Sequence, residues 1–230
     1  MKLHSDVIRR YTSLSSVVDI LRRQQLPLLN PESWDDRNDR YFMGLYKEAR
    51  QLGGLYALCA AQCAETYHHW KVFTGGADGA CLEIKREPFE ALLSKLQHVR
   101  FKTVDYLVLE KVDRLRPQDL ANLPFCKRYG FTDEIEYRVI AETAEPQQPV
   151  LRIDFPLELI GRIELSPWLP DAVAQSVQAV LSSIVADHAI EIRRSRLIDN
   201  DRWKRAGDRV VGKKARAVHL KPSSSRKAEK

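Results

Sequence analysis

The sequence has few of the features that mark several large classes of protein. Its 230 residues include only 4 cysteines, 10 glycines and 11 prolines, and no apolar run approaches the ~18 residues of a membrane span. So few cysteines do not make a disulfide framework, and the low glycine and proline content excludes collagen-like and low-complexity chains. The N-terminal residues MKLHSD lack the apolar core of a secretory signal. We therefore expect a cytoplasmic protein with reduced thiols and no membrane contact.

The glycine-rich loops that bind nucleotides in the best-known enzyme classes are also missing. The richest glycine stretch, Gly75-Gly76-Ala77-Asp78-Gly79, precedes an expected strand instead of joining a strand to a helix. This pattern weighs against a P-loop enzyme and against a Rossmann dehydrogenase. There is no Gly-x-Ser-x-Gly elbow either, so nothing in the sequence demands a hydrolase.

Residue types that bind zinc are present, but their pattern is not that of a zinc site. Cys59 and Cys63 lie in an Ala-rich apolar run, which is typical of a buried strand, and no second cysteine pair follows. We predict no metal site. His68 and His69 fall on an expected helix, where one imidazole would face the interior and the other solvent.

The hydrophobic content of 44% is enough for one sizeable core, but the net charge of +6 is unevenly distributed. Residues 204–230 contain 10 Lys or Arg against 2 acids, a net of +8, so residues 1–203 carry −2. We predict one α+β domain over 1–203 and a basic, disordered tail over 204–230. Such a tail would attract nucleic acid or an acidic partner, and a merely solubilising end is the alternative.

Hydrophobic periodicity predicts alternating strands and helices, with short strands concentrated in the C-terminal half. Several strands are separated by loops too short for a crossover helix. This favours an α+β fold with a mixed, mostly antiparallel sheet and flanking helices. The expected strands cover 7–12, 26–29, 55–61, 80–85, 100–106, 134–140, 150–155, 160–165 and 190–193, and the expected helices 17–21, 39–51, 65–73, 88–96 and 170–189, with a mixed, mainly helical stretch over 107–123.

A first polar stretch that could carry chemistry joins an expected strand to a helix. It reads WDDRND, so Trp34 is followed closely by Asp35, Asp36 and Asp39. Acids this close raise one another's pKa or recruit cations. Their simpler role is to cap the following helix, for which Asn38 or Asp39 is suitable.

A second such stretch covers residues 133–138. On a strand, Glu134, Glu136 and Arg138 project to one face, while Ile135 and Tyr137 project to the other. Three ionisable groups on one face form either a solvated ladder or the polar wall of a site. Spacing alone favours the solvated ladder.

Several segments, taken in order over residues 7–198, resemble an uncharacterised bacterial family known chiefly by its FNDP motif and described as a domain of unknown function. Three departures from the family pattern are present: Trp34-Asp35-Asp36 replaces Phe-Asn-Asp, the following Pro is missing, and Phe73 stands where Tyr is common. The segments that carry the resemblance are Arg10-Tyr11-Thr12-Ser13, LLNPESWDD at 28–36, the strand at 55–61, Trp70 with Phe73 and Gly79-Ala80-Cys81-Leu82, and Glu136-Tyr137-Arg138.

The layout of that family is similar to the ADP-ribosyltransferase superfamily, which implies an ADP-ribosyltransferase-like fold and NAD as the substrate. The resemblance places Arg10, Tyr11 and Thr12 at the first functional position, Asn30 at the second and Glu136 at the third. An arginine fork matches phosphate geometry and would hold the pyrophosphate. Glu136 would contact the ribose and stabilise the oxocarbenium-like charge that develops as nicotinamide leaves.

Further site residues follow from the same resemblance. Either Tyr11 or Trp34 would stack on nicotinamide, and the remaining candidates are Asp35, Asp36, Trp70 and Arg138. The implied activity is ADP-ribosyl transfer or NAD glycohydrolysis in bacterial defence or as a toxin. The acceptor and the oligomeric state are not predicted.

Simpler roles remain open for the three principal residues. Arg10 would pair with a surface acid, Asn30 would only end a strand before a proline, and Glu136 would pair with Arg138. The alternative function is a non-catalytic module that binds nucleic acid or a protein through the basic tail. The enzyme requires Arg10 and Glu136 to face one cleft, whereas the binding module requires the tail.

Overall fold

The computed structural model describes residues 6–212, which contain eleven strands. The strands are β1 (Val7–Ser13), β2 (Gln25–Leu29), β3 (Gly54–Ala61), β4 (Gly79–Lys85), β5 (Val99–Thr103), β6 (Asp105–Leu107), β7 (Cys126–Arg128), β8 (Glu136–Thr143), β9 (Val150–Asp154), β10 (Ile160–Leu165) and β11 (Glu191–Arg194). Nine of the strands in this range form one sheet, in the order β11-β10-β4-β1-β3-β2-β9. In the same sheet, β8 pairs with the other edge of β3 and β5 pairs with β8, whereas β6 pairs with β7 separately.

Seven α-helices accompany these strands within the described range. Short 3-10 helices cover Pro31–Ser33, Pro117–Phe125, Tyr129–Glu134 and Leu157–Leu159. None of the helices in residues 6–212 has both the length and the apolar composition needed to cross a membrane. The α-helices are α1 (Leu14–Arg23), α2 (Arg37–Ala49), α3 (Tyr67–Phe73), α4 (Arg86–Leu93), α5 (Leu109–Val112), α6 (Asp171–Ile184) and α7 (Asp201–Val210).

The sheet is mixed and mostly antiparallel. Among the described residues, only the β10–β11 and β6–β7 pairings are parallel. The predicted α+β class, with flanking helices, is therefore confirmed. Two expected strands differ in extent. The strand expected over 100–106 is divided into β5 and β6, which pair with different partners, and β8 begins at Glu136 because Ile135 before it has left-handed backbone, with φ 43° and ψ 55°.

The chain divides into two compact units, Met1–Leu197 and Ile198–Lys230. The domain boundary expected between residues 203 and 204 falls inside α7, which is the helix of the second unit. Residues 213–230 of the expected tail lie outside the described residues.

Alternation along the central strands gives the sheet two unlike faces. On β3, Tyr56, Leu58 and Ala60 enter the main core, which is completed by residues of α1, α4 and α6. On the opposite face, two smaller apolar clusters are separated along the strand. Leu55 packs with α2, and Ala61 packs with Trp70 of α3. The space between α2 and α3 is where polar side chains gather.

Candidate active site

A cavity of about 550 Å³ lies on this second face, between α2 and α3. This volume is within the range of small-molecule sites, roughly 300–1,000 Å³. Its lining combines aromatic rings with ionisable groups from β1, β3, β8 and the segments that precede α2 and β8. The lining residues include Arg9, Arg10, Tyr11, Trp34, Asp35, Asp36, Asp39, Cys59, His69, Phe73, Lys127, Phe131, Glu134 and Glu136.

The cavity is located where one edge of β3 changes partner. β1 pairs with this edge only at Ala61, opposite Arg9, and β2 pairs with it only at Ala57, opposite Leu29. Cys59 lies between these two positions and so has no strand partner on that side. An unpaired carbonyl in a sheet must find another donor, which makes this gap a natural place for a long polar side chain.

Arg10 supplies that donor. Its Nη1 donates a hydrogen bond to the Cys59 carbonyl at 2.8 Å. The other two cations that line the cavity are committed to acids, since Arg9 pairs with Glu83 at 2.6 Å and Lys127 with Glu134. Arg10 is therefore the lining cation without a carboxylate partner in the described part of the chain. Burial lowers the pKa of Arg10, although a guanidinium stays charged at physiological pH.

The floor of the cavity carries a carboxylate that is nearly inaccessible to water. Glu136 is 2% exposed, and its carboxylate accepts hydrogen bonds from Arg138 Nε at 2.7 Å and from Lys127 Nζ at 3.2 Å. Burial acts to raise the pKa of Glu136, but the charges of Arg138 and Lys127 outweigh it and hold that pKa well below its ordinary value. Glu136 is therefore ionised at neutral pH.

A second carboxylate differs from the first in the direction in which its pKa is shifted. Glu134 contacts the same Lys127 Nζ, at 2.5 Å, but burial raises its pKa above the ordinary value. When the pKa values of two neighbouring carboxyl groups are shifted in opposite directions, the group with the lowered pKa can stabilise positive charge and the group with the raised pKa can exchange a proton.

Arg138 lies behind the floor and does not line the cavity. It is fully buried, and its five N–H groups have five acceptor contacts. Two go to Glu136 (2.7 and 3.0 Å), two to Asp39 (2.8 and 2.6 Å) and one to the Pro124 carbonyl (2.8 Å). Its guanidinium carbon is also 4.9 Å from the centre of the Trp34 ring.

Two helix caps bring Trp34 to this position. The Asn30 side chain accepts from Glu32 N at 3.0 Å and begins the 3-10 turn that precedes Trp34. Asp36 then caps α2 by accepting from Asn38 N and Asp39 N. Because α2 starts here, Asp39 lies in its first turn and faces inward, 4% exposed, toward Arg138.

The wall on the α3 side is aromatic. Tyr11 and His69 are stacked, with ring centres 5.3 Å apart, and the buried Trp70 meets Tyr11 edge-on at 5.3 Å. His69 Nε2 donates to the Glu134 carbonyl at 2.9 Å, and its Nδ1 forms a hydrogen bond with the Thr66 hydroxyl. Since a carbonyl can only accept, Nε2 of His69 carries a proton, and burial lowers the pKa of His69, which favours the neutral ring.

The structure brings most of the sequence-predicted site residues together. Six of the predicted site residues line one cavity: Arg10, Tyr11, Trp34, Asp35, Asp36 and Glu136. Arg10 and Glu136 therefore face one cleft, as the enzyme hypothesis requires. The simpler pairing of Glu136 with Arg138 also exists, whereas Arg10 has no acid partner among the described residues.

Four candidates lie outside the lining. Thr12 pairs with Ala80 on β4, and Asn30 is a helix cap that ends β2, which was its simpler role. Trp70 is fully buried and donates to Glu65 at 2.6 Å. Arg138 is behind the floor.

Two expectations from the sequence are wrong. Glu136 and Arg138 do not form a solvated ladder, because Trp34 and α2 cover that face of β8. The cap of α2 is Asp36 and not Asn38 or Asp39. The predicted division of the two histidines is confirmed, with His69 buried and His68 exposed. In the described residues, no group of three or more His, Cys, Asp or Glu is placed to hold a metal ion.

Several lining residues were not among the site residues that the family resemblance implied. Lys127, Glu134 and Asp39 share the charge of the floor, and His69 holds the backbone between the two glutamates. The sequence marks Glu134 only as an ionisable group two residues before Glu136. No local pattern marks Lys127, because β7 carries it to the cavity from a separate two-stranded sheet.

Solved structures similar to this chain include three of DarT from Thermus sp. 2.9. The complex with ADP-ribosylated ssDNA has 13% identity and a TM-score of 0.41, covering 83% of this chain and 94% of that chain. The complex with carba-NAD+ has 12% identity and a TM-score of 0.41, with coverages of 84% and 96%, and the complex with NAD+ has 12% and 0.40, with 85% and 98%. No family model matches the sequence, and no curated protein matches it at a significant level. The family resemblance therefore stays a prediction.

Proposed function

We propose that this protein binds NAD+ in the cavity, breaks the bond between nicotinamide and ribose, and transfers the ADP-ribosyl group to an acceptor. The observation that carries the proposal is the placement of an ionised, buried carboxylate (Glu136), an arginine without an acid partner (Arg10) and the indole of Trp34 around one cavity. Each of the three matches a different part of NAD+.

The ribose fits the floor. As the N-glycosidic bond breaks, its electron pair leaves with nicotinamide, which becomes neutral, and positive charge develops on the ribose. Asp39, Glu134 and Glu136 together carry one more negative charge than Lys127 and Arg138 supply when all are ionised. This excess negative charge at the floor of the cavity stabilises the positive charge that develops on the ribose. Preorganised charges in a site of low dielectric constant stabilise a transition state efficiently.

The other parts of NAD+ fit the walls. Trp34 offers a ring face to the nicotinamide, and the free donors of Arg10 match the pyrophosphate, which a guanidinium binds bidentately. The acceptor then attacks C1′ of the ribose and loses a proton, for which Glu134, with its raised pKa, is the nearby base. With water as acceptor, the same steps give NAD glycohydrolysis. The defence or toxin role implied by the family resemblance belongs to this proposal.

Nicotinamide release by the purified protein tests the proposal, with Glu136→Gln as the principal variant. We expect release to fall by about 10²–10³-fold, the typical effect of removing one transition-state electrostatic group. Glu142→Gln is the matched control, because Glu142 lies on the same strand but contacts Tyr46 and Arg100 instead of the cavity. Wild-type protein that neither binds NAD+ nor releases nicotinamide contradicts the proposal, as does equal release by wild type and Glu136→Gln.

A second candidate function is favoured by the sequence of α7. Arg202, Arg205 and Arg209 recur at helical spacing on one side of this helix, and Trp203 is adjacent. Arginines beside an indole suit a single-stranded nucleic acid, through phosphate contacts and base stacking. Under this function, binding of an oligonucleotide weakens steeply with salt, and changing the three arginines to Gln abolishes it while leaving nicotinamide release intact. Salt-independent binding would contradict it.

A further inference from the structure

The guanidinium of Arg138 joins two walls of the cavity that come from distant parts of the chain. Its edge with Nε and Nη2 holds both oxygens of Glu136 on β8, and the edge with Nη1 and Nη2 holds both oxygens of Asp39 on α2. The face of the same planar group lies under the Trp34 ring. One rigid group therefore contacts the carboxylate proposed for the chemistry and the ring proposed for binding.

Nothing about Arg138 indicates direct contact with a ligand. It has no exposed surface, it is absent from the lining of the cavity, and every one of its N–H donors is used within the protein. Burial of a guanidinium is costly unless all of it is paired. The buried Arg138 therefore requires the carboxylates of both Glu136 and Asp39 to remain in place. Any effect of Arg138 on a ligand must pass through Glu136 or Trp34.

We propose that Arg138 is a positioning residue, which sets the orientation and ionisation of Glu136 and the plane of Trp34 together. The kinetic part of this inference rests on the proposed function, but the arrangement itself does not. If Arg138 acts in this way, its loss changes binding and chemistry at once, whereas loss of Trp34 alone changes mainly binding.

The test uses the full chain with Arg138→Lys, which keeps the charge but loses the planar fork, and Arg138→Met, which loses both. The matched control is Arg100→Lys. Arg100 lies on the neighbouring strand β5 and also contacts a carboxylate and an aromatic ring, Glu142 and Phe125, outside the cavity. Thermal unfolding and circular dichroism establish that each variant is folded before the other measurements are made.

Two readouts need no substrate. The first is the pKa of Glu136, followed by NMR of 13C-glutamate-labelled protein, with the signal assigned by its absence in Glu136→Gln. The second is the fluorescence of Trp34, obtained by subtracting the spectrum of the same protein with Trp34→Phe. We expect the pKa of Glu136 to rise and Trp34 to become more accessible to acrylamide in both Arg138 variants, with neither change in Arg100→Lys.

The third readout is the kinetics of nicotinamide release. We expect Arg138→Lys to lower kcat by about 10²-fold, the effect of a misplaced catalytic group, and to raise KM severalfold. Trp34→Phe raises KM with a much smaller effect on kcat. If the wild-type protein does not release nicotinamide, the proposed function fails, while the NMR and fluorescence readouts still test the role of Arg138.

A folded Arg138→Lys protein with an unchanged Glu136 pKa and unchanged Trp34 accessibility overturns the inference. If both Arg138 variants fail to fold, Asp39→Asn replaces them, because it keeps the shape of the side chain but removes one of the two charges that hold the guanidinium. Increased accessibility of Trp34 in that variant supports the inference, and accessibility equal to wild type overturns it.

Discussion

Glu134 and Glu136 both contact the ammonium of Lys127, at 2.5 and 3.2 Å, across a residue whose backbone is left-handed. That residue is Ile135, with φ 43°. A β-branched side chain in this region is a genuine outlier, and such strain is retained where the surroundings hold it in place. The Ile135 carbonyl accepts from Gln62 N at 2.9 Å, and its amide donates to the Thr132 carbonyl at 3.2 Å. The two carboxylates are therefore held by a strained turn.

This strain gives a prediction that compares two substitutions at one position. Ile135→Ala and Ile135→Gly lose nearly the same packing, but only glycine adopts φ 43° without strain. We expect Ile135→Gly to be more stable than Ile135→Ala by about 1 kcal/mol, measured by urea unfolding. At an ordinary position the alanine variant is the more stable of the two. A larger free energy of unfolding for Ile135→Ala than for Ile135→Gly would therefore contradict backbone strain at residue 135.

We predict that the buried His69 makes the free energy of unfolding depend on pH. Burial lowers its pKa in the folded protein, so the unfolded chain takes up a proton first as the pH falls. Stability is therefore fully present above the ordinary histidine pKa of 6.5 and is lost as the pH falls from there through the lower folded value.

The measurement is the free energy of unfolding as the pH falls from above to below 6.5, the ordinary histidine pKa from which the folded value is lowered. We expect His69→Gln to flatten the pH dependence in this window, with His68→Gln, the exposed neighbour, retaining the wild-type slope. Equal slopes in wild type and His69→Gln would mean that His69 does not remain neutral in the folded protein.

We predict that Arg10 contributes to the affinity for NAD+. Its guanidinium has one hydrogen bond to the protein and would use its other donors on the pyrophosphate. Because hydrogen bonds to charged groups contribute about 1.5–3 kcal/mol, we expect Arg10→Gln to weaken NAD+ binding by about 10- to 100-fold in calorimetry. Arg162→Gln is the control, since Arg162 pairs with Glu83 and Glu191 on the same sheet outside the lining. An unchanged Kd in Arg10→Gln would exclude Arg10 from the NAD+ site.

We predict that the ionisation of Glu134 sets the acidic limb of the pH–rate profile for nicotinamide release. A base must be deprotonated to act, and burial raises the pKa of Glu134 in the folded protein. Nicotinamide release that leads to transfer therefore rises with pH through that raised value, above the ordinary carboxyl pKa of 4.5. We expect Glu134→Gln to be slower and to lose this limb. If Glu134→Gln shows the same acidic limb as the wild-type protein, the limb belongs to another group.

The sequence predicts the faces of β8 correctly from its alternation, since Glu136 and Arg138 do project opposite to Tyr137. It does not predict that this polar face is buried. The residues that cover it, Trp34 and Asp39, are about a hundred positions away in the chain, and only the tertiary fold brings them together. The αL turn at Ile135 is equally hidden, because isoleucine disfavours that conformation and tertiary contacts impose it.

Arg10 illustrates the same limit for the site. Its type and position on an early strand suggest phosphate binding only through the family resemblance. Its physical situation depends on the topology of β3, whose edge is shared by two strands that leave Cys59 unpaired between them. No property of the sequence near Arg10 indicates this gap.

A crystal structure of Glu136→Gln soaked with NAD+ tests the central claim most directly, because this variant should bind the dinucleotide without consuming it. We expect intact NAD+ in the cavity, with the nicotinamide ring stacked on Trp34, the ribose over residue 136 and a phosphate against the Arg10 guanidinium. NAD+ bound elsewhere on the protein, or a cavity that stays empty at saturating NAD+, would contradict it.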